Sequence, residues 1–140
     1  MRGPLLLRDL LEHNARVHPN RVALSAAEGD VRWRDLRDRV LLCSGALHAQ
    51  GIGRGDRVAV LVHSSVRYVE LLFGVTRLGA ALAPLNPHLI GRELSAVLKD
   101  AEVRALLYDA ESRALAEEVR PSLPDGARFL PVEGDASCRG

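Results

Sequence analysis

The chain has 140 residues, 47% of them hydrophobic and 26% charged, with a formal net charge of +1. That length suits one domain, although it does not say whether the domain is complete, and the composition is that of a folded globular protein rather than a disordered segment. The near-neutral charge argues against a nucleic-acid module, which would carry a basic stripe, and against a polybasic membrane anchor.

In chain order, the opening segment has an apolar run of only three residues, Leu5 to Leu7. A secretory h-region needs about 7–15 apolar residues, and a membrane span needs ~18, a length that no stretch approaches. Leu5 to Val17 predicts a helix, with Leu7, Leu10 and Leu11 at helical spacing and Asn14 and Arg16 largely on the other side. His18-Pro19-Asn20 ends it, because the residue before a proline disfavours the helical conformation. Val22-Ala23-Leu24 and Val31-Arg32-Trp33 predict short strands around a turn at Glu28-Gly29-Asp30, together a small hairpin. Arg34 to Gln50 predicts a second helix whose face carries Leu36, Val40, Cys43 and Leu47, with Gly51 as its C-terminal cap. Arg57 to Val62 is apolar after its first residue and rich in valine, the pattern of a parallel strand buried on both faces.

Val66 to Leu78 predicts a third helix, apolar nearly all round, with one polar stripe of Arg67, Glu70 and Arg77 and with Gly74 on the same side. Such a helix packs against more than one neighbour. Ala80 to Leu85 predicts a strand closed by the turn residues Pro84-Leu85-Asn86-Pro87. Gly91 to Asp100 predicts a helix with Leu94, Val97, Leu98 and Ala101 inward; Val103 to Tyr108, Glu111 to Arg120 and Ala127 to Val132 predict strand, helix and strand. Residues 133–140 have no periodicity and predict a disordered tail. The fold class is therefore α/β: a mainly parallel sheet with helices on both faces, preceded by a helix and a small β-hairpin.

The two cysteines, Cys43 and Cys138, are far apart, one in a helical pattern and one in a polar tail, so no bridge is expected. Cys43 reads as a buried structural thiol. No Cys or His cluster has zinc-ligand spacing. A reducing cytoplasm is the simplest compartment.

Gly51-Ile52-Gly53-Arg54-Gly55-Asp56 could suggest a phosphate-cradling loop, but that chemistry needs a strand before the glycines and a helix after them. The order here is reversed, so the run reads as a helix cap and a tight turn in which Asp56 bonds backbone groups. His63, Ser64 and Ser65 stand at the carboxyl end of a predicted parallel strand, where open α/β sheets take their ligands. Ser64 or Ser65 equally suits the N-cap of the next helix. Asn86, at the end of the following strand, has the same two readings, turn former or ligand contact. His63 has no companion acid or nucleophile in sequence. Trp33 is expected to plug the hairpin against the second helix. Glu117-Glu118 and the mixed charges Arg34, Asp35, Arg37, Asp38 and Arg39 read as solvated faces. No catalytic or metal-binding residue set emerges.

The order of these motifs resembles the beginning of the adenylate-forming superfamily, which includes acyl-CoA synthetases, peptide-synthetase adenylation domains and luciferase-like enzymes. The resemblance runs from about Leu5 to Tyr108, with weaker support to Val132. It is carried by His18-Pro19 with Val22-Ala23-Leu24, by Trp33-Arg34-Asp35-Leu36, and by Leu47 with Gly51-Ile52 and Gly55-Asp56-Arg57-Val58-Ala59. Leu78-Gly79-Ala80, Pro84-Leu85-Asn86-Pro87, Glu93-Leu94 and Leu98-Lys99-Asp100-Ala101 continue it. Arg32 where the family usually has threonine, His63-Ser64 in place of Pro-Asn or Asn-Ser, and Gly91 in place of a Ser or Thr cap are departures.

The resemblance implies an enzyme that activates a carboxylate with ATP and Mg²⁺ and passes the acyl group to a thiol such as coenzyme A. The family's Gly-x-Pro-Lys phosphate loop, its aromatic-Gly-Thr-Glu segment, its ribose-binding aspartate and its catalytic lysine have no counterpart here. Residues 1–132 are therefore expected to be the N-terminal portion of such a domain, inactive alone, with no cofactor bound by this segment. The expected partner is the remainder of a synthetase or a complementing chain, with a carboxylic acid as substrate and no nucleic acid. A non-catalytic binding or regulatory module completed by a partner, a fragment of a peptide-synthetase adenylation domain, and an unrelated small nucleotide-binding domain stand as alternatives.

Overall fold

The structure is a computed structural model and describes residues 5–132. The predicted tail at 133–140, with Cys138, lies outside them. Four strands make a parallel sheet: β3 (Arg57–Leu61), β4 (Ala81–Pro84), β5 (Ala105–Tyr108) and β6 (Arg128–Pro131), in the order β4-β3-β5-β6. Val58, Ala59, Val60 and Leu61 of β3 are each fully buried, as an unbroken apolar strand in an α/β sheet requires.

Side-chain alternation along the strands divides the core in two. Val58, Val60, Ala105, Leu107 and Leu130 pack on one face against Cys43 and Leu47 of α2 (Trp33–Ala49) and Leu71 and Val75 of α3 (Val66–Arg77). Ala59, Leu61, Leu106 and Tyr108 pack on the other against Leu94 and Leu98 of α4 (Gly91–Ala101) and Ala116 and Val119 of α5 (Arg113–Val119). The hairpin of β1 (Val22–Ala26) and β2 (Gly29–Arg32) is a separate antiparallel pair. A third cluster, with Leu11 of α1 (Leu7–Val17), Val31, Leu36, Val40, Val66 and Phe73, joins it to the helices, and Trp33 packs against that cluster as expected.

Gly51 follows α2 with φ +84°, the left-handed conformation that ends helices, and the Asp56 carboxylate accepts the Gly53 N–H at 2.8 Å. The glycine run is therefore a helix-to-strand turn.

Several boundaries and faces differ from expectation. The hairpin turn is Ala27-Glu28, and Trp33 opens α2 instead of closing β2. The last helix is shorter than predicted; a 3₁₀ turn, Arg120–Ser122, replaces its end, because Pro121 has no N–H to continue the helix. On α1 only Leu11 and Ala15 are buried, while Leu7 and Leu10 are exposed. On α4 Leu94 and Leu98 define a narrow inner face that leaves Val97 exposed.

As expected, α3 packs against more than one neighbour, and its polar stripe forms the seam with α1 and α2. Glu70 is 2% exposed and pairs with Arg67 at 2.6 Å and with Arg39 of α2 at 3.4 Å. Arg39 thus leaves the solvated run expected of it. One turn on, a Cβ at Gly74 would lie 3.0 Å from the Cys43 sulfur, so the absence of a side chain lets the two helices approach closely. Arg77 closes the row with Glu12 of α1 at 3.1 Å.

Glu70→Ala leaves the mostly buried Arg67 without its carboxylate and is expected to lower the unfolding free energy by about 3 kcal/mol. Arg34→Ala, which breaks only a solvent-exposed pair with Asp35, is expected to change it by less than about 1 kcal/mol. Urea denaturation of both variants checks the contrast.

Candidate functional site

The connection leaving β3 crosses one face of the sheet through α3, whereas α4 and α5 cover the other face. Strands β3 and β5 are neighbours whose chains depart to opposite faces, which makes their carboxyl ends a topological switch point. Ligands of open α/β sheets bind at such switch points.

Two residues just beyond these strand ends bond each other. Asp109, just beyond β5, accepts the His63 backbone N–H at 2.7 Å and lies 2.9 Å from His63 Nδ1, both through Oδ2. Its other oxygen accepts the Ser112 N–H at 2.9 Å. The carboxylate thus ties the loop after β3 to the loop after β5. Because an ionised carboxylate only accepts, the geometry places a proton on Nδ1 and turns the second ring nitrogen, Nε2, into the acceptor of the neutral imidazole. The His63 side chain is about one-third exposed (35%).

The electrostatics are reciprocal. The hydrogen bond to Asp109 raises the His63 pKa against partial desolvation, and the charges of Asp109 and Glu111 add to the rise. Burial pushes the Asp109 pKa up, but hydrogen bonds from His63 and Ser112 outweigh it and hold the carboxyl below its ordinary value.

Ser65 does the work of a cap. Its hydroxyl oxygen accepts the Tyr68 N–H at 3.2 Å, and its O–H donates to the His63 carbonyl at 3.1 Å. Ser64 and Ser65 also line a cavity of about 400 Å³ between the start of α3 and the hairpin, with Leu24, Ser25, Glu28 and Val69. Asn86 acts as a turn former: its side-chain oxygen accepts the His88 N–H at 2.9 Å. The turn sets His88 edge-on to His63, with ring centroids 6.3 Å apart.

Three of the four residues singled out by sequence therefore have a structural role in these loops: His63 in the pair, Ser65 in the cap and Asn86 in the turn. The expectation that His63 lacks a companion acid is corrected, since Asp109 supplies one from 46 residues downstream. Asp109, Ser112, His88 and Glu111 went unnoticed. Asp109 stands at the carboxyl end of a predicted strand, so the reasoning applied to His63 would have found it. Among the described residues, no group of three or more His, Cys, Asp or Glu side chains could hold a metal ion. No helix among them is long and apolar enough to cross a membrane.

Residues 11–136 match the family described as AMP-binding enzyme, and the chain belongs to that family. It is 36% identical over 94 residues to the long-chain-fatty-acid–CoA ligase FadD13 of Mycobacterium tuberculosis, covering 66% of this chain and 19% of that protein. It is 34% identical over 134 residues to the 3-methylmercaptopropionyl-CoA ligase of Ruegeria pomeroyi, covering 93% of this chain and 25% of that one. Among solved structures it resembles the anthranilate CoA ligase AuaEII, crystallised with anthranoyl-AMP, at a TM-score of 0.86 and 28% identity over 99% of this chain and 28% of that one. The chain thus spans about a quarter or less of the length of the two curated relatives.

Asp109→Asn is expected to lower the His63 pKa and to flatten two pH dependences of stability. The His63 share, from a raised pKa, is full below the unfolded value of about 6.5 and is lost as pH rises through the folded one. The Asp109 share, from a lowered pKa, is full above about 3.9 and is lost as pH falls through the folded value. Urea midpoints across pH check both. Ser65→Ala is expected to cost about 1 kcal/mol through the lost cap.

Proposed function

We propose that this chain forms the opening part of the large domain of an acid–thiol ligase. The whole enzyme would join a carboxylic acid to ATP as an acyl-adenylate, release pyrophosphate and transfer the acyl group to coenzyme A. One observation carries this reading: the family match and the structural likeness run together over nearly the whole chain. The relatives named above are coenzyme A ligases, which supports coenzyme A as acceptor and a fatty or other organic acid as substrate.

In this reading the 140 residues alone do not adenylate. They contain no Gly-x-Pro-Lys loop and none of the family's later segments, so no step of ATP or Mg²⁺ chemistry falls to a residue here. Adenylation depends on groups placed to stabilise the charge that develops on the phosphate. The part played by this chain is architectural: it builds the parallel sheet and presents the His63–Asp109 loops at the carboxyl ends of its strands. Its partner is the remainder of such an enzyme, on the same chain or a complementing one. The cytoplasm is the compartment that fits ATP-dependent chemistry and the buried cysteine at position 43.

The test has two arms. The 140-residue chain with Mg²⁺-ATP and a panel of carboxylates is expected to give no pyrophosphate exchange. The Ruegeria ligase with its matching N-terminal segment replaced by this chain is expected to form acyl-CoA. Exchange by the short chain alone, or a folded chimera that forms no acyl-adenylate, would contradict the proposal.

A further inference from the structure

Helix α1 carries two apolar faces, and the fold uses one of them. Leu11 and Ala15 form the buried face. Leu7, Leu10, Asn14 and Val17, spaced three, four and three residues apart, form a second stripe. Leu7, Leu10 and Val17 are each between 41% and 46% exposed, as is Leu6 at the N-cap. This spacing is that of a seam along which one helix packs on another. Asn14, the polar member, is turned back on its own helix, where its Nδ2 donates to the Leu10 carbonyl at 2.8 Å. Beside the start of the stripe, Leu6 and Leu7 line a cavity of about 300 Å³ with Thr76, Arg77 and Gly79.

The charges of α1 stand elsewhere. At about 100° per residue, Arg8, Asp9, Glu12 and Arg16 fall on the side of the helix opposite the stripe. Glu12 is bonded to Arg77, and Arg8 lies 3.7 Å from Asp9. A lipid surface is held by cations that flank an apolar face, and neither arginine of α1 flanks this one. A second copy of the chain is a poor fit as well. The stripe spans only about 15 Å of one helix, whereas each partner of a stable interface between separate molecules buries roughly 800 Å². A segment of the same enzyme needs no such area, because the rest of the assembly keeps it at high effective concentration. The chain spans a quarter or less of its two curated relatives, so most of such an enzyme is available to cover the stripe.

We propose that the outer stripe of α1 seats an apolar helix from the remainder of the enzyme. The inference rests on the ligase reading above. Leu7, Leu10 and Val17 enter the grooves of that helix, and one of its apolar side chains fills the cavity beside Leu6 and Leu7. Apolar surface that the 140 residues leave in water is thereby removed from it.

Hydroxyl-radical footprinting read by mass spectrometry tests the seat by comparing the 140-residue chain with the Ruegeria chimera. Leu7, Leu10 and Val17 are expected to oxidise several-fold more slowly in the chimera than in the short chain, with the buried Leu11 slow in both. Leu7→Gln combined with Leu10→Gln exchanges residues of similar helix propensity. The pair is expected to lower the melting temperature of the chimera by more than that of the short chain. A chimera that forms acyl-CoA while the stripe oxidises at the rate of the short chain, or a double variant that shifts both melting temperatures equally, would overturn this proposal and leave the ligase reading standing. A short chain whose stripe is already protected, in a dimer or on lipid vesicles, would overturn it in favour of that other occupant. A chimera that forms no acyl-adenylate contradicts the ligase reading, and this proposal with it.

Discussion

Strand β3 is buried on both faces and bonded along both edges, and the positions of the other elements follow from satisfying it. Its backbone groups need a partner on each side, which β4 and β5 provide in parallel register. Its side chains need apolar cover above and below, which α2 and α3 provide on one face and α4 and α5 on the other. Parallel neighbours cannot be reached by a tight turn, so each connection becomes a helix long enough to return to the start of the next strand. A chain that leaves β3 for one face and β5 for the other places a topological switch point between their ends. The site is a consequence of the order of strands before it is a matter of particular side chains.

The same economy appears at the α1–α2–α3 seam. A buried carboxylate is costly unless it is paired, and Glu70 is paired twice. Gly74 permits the close approach that brings Arg39 within reach, and Arg77 anchors α1 through Glu12. The polar row gives the three helices a defined register where an apolar surface would allow sliding.

The alternation of strands and helices was legible because unbroken valine-rich runs and helical spacing are local signals. Gly51 and Asp56 were legible for the same reason: a cap and a turn are made within a few residues. What escaped was long-range. Glu70 looks like any surface glutamate until Arg39, 31 residues earlier, is folded against it. His63 looks solitary until the sheet brings Asp109 beside it. Val97 was misplaced because helical periodicity alone does not give the width of the inner face. The family resemblance agreed with the local reading of the glycine run, and both exclude a nucleotide loop there.

The central claim is that strand order alone carries His63 and Asp109 to one point and fixes the imidazole with its proton on Nδ1. Long-range ¹⁵N–¹H correlation of the ring above its pKa reads that arrangement directly. Nδ1 is predicted to appear as the protonated nitrogen and Nε2 as the bare acceptor. A ring found mainly as the Nε2–H tautomer would contradict the pairing and, with it, the joining of the two loops.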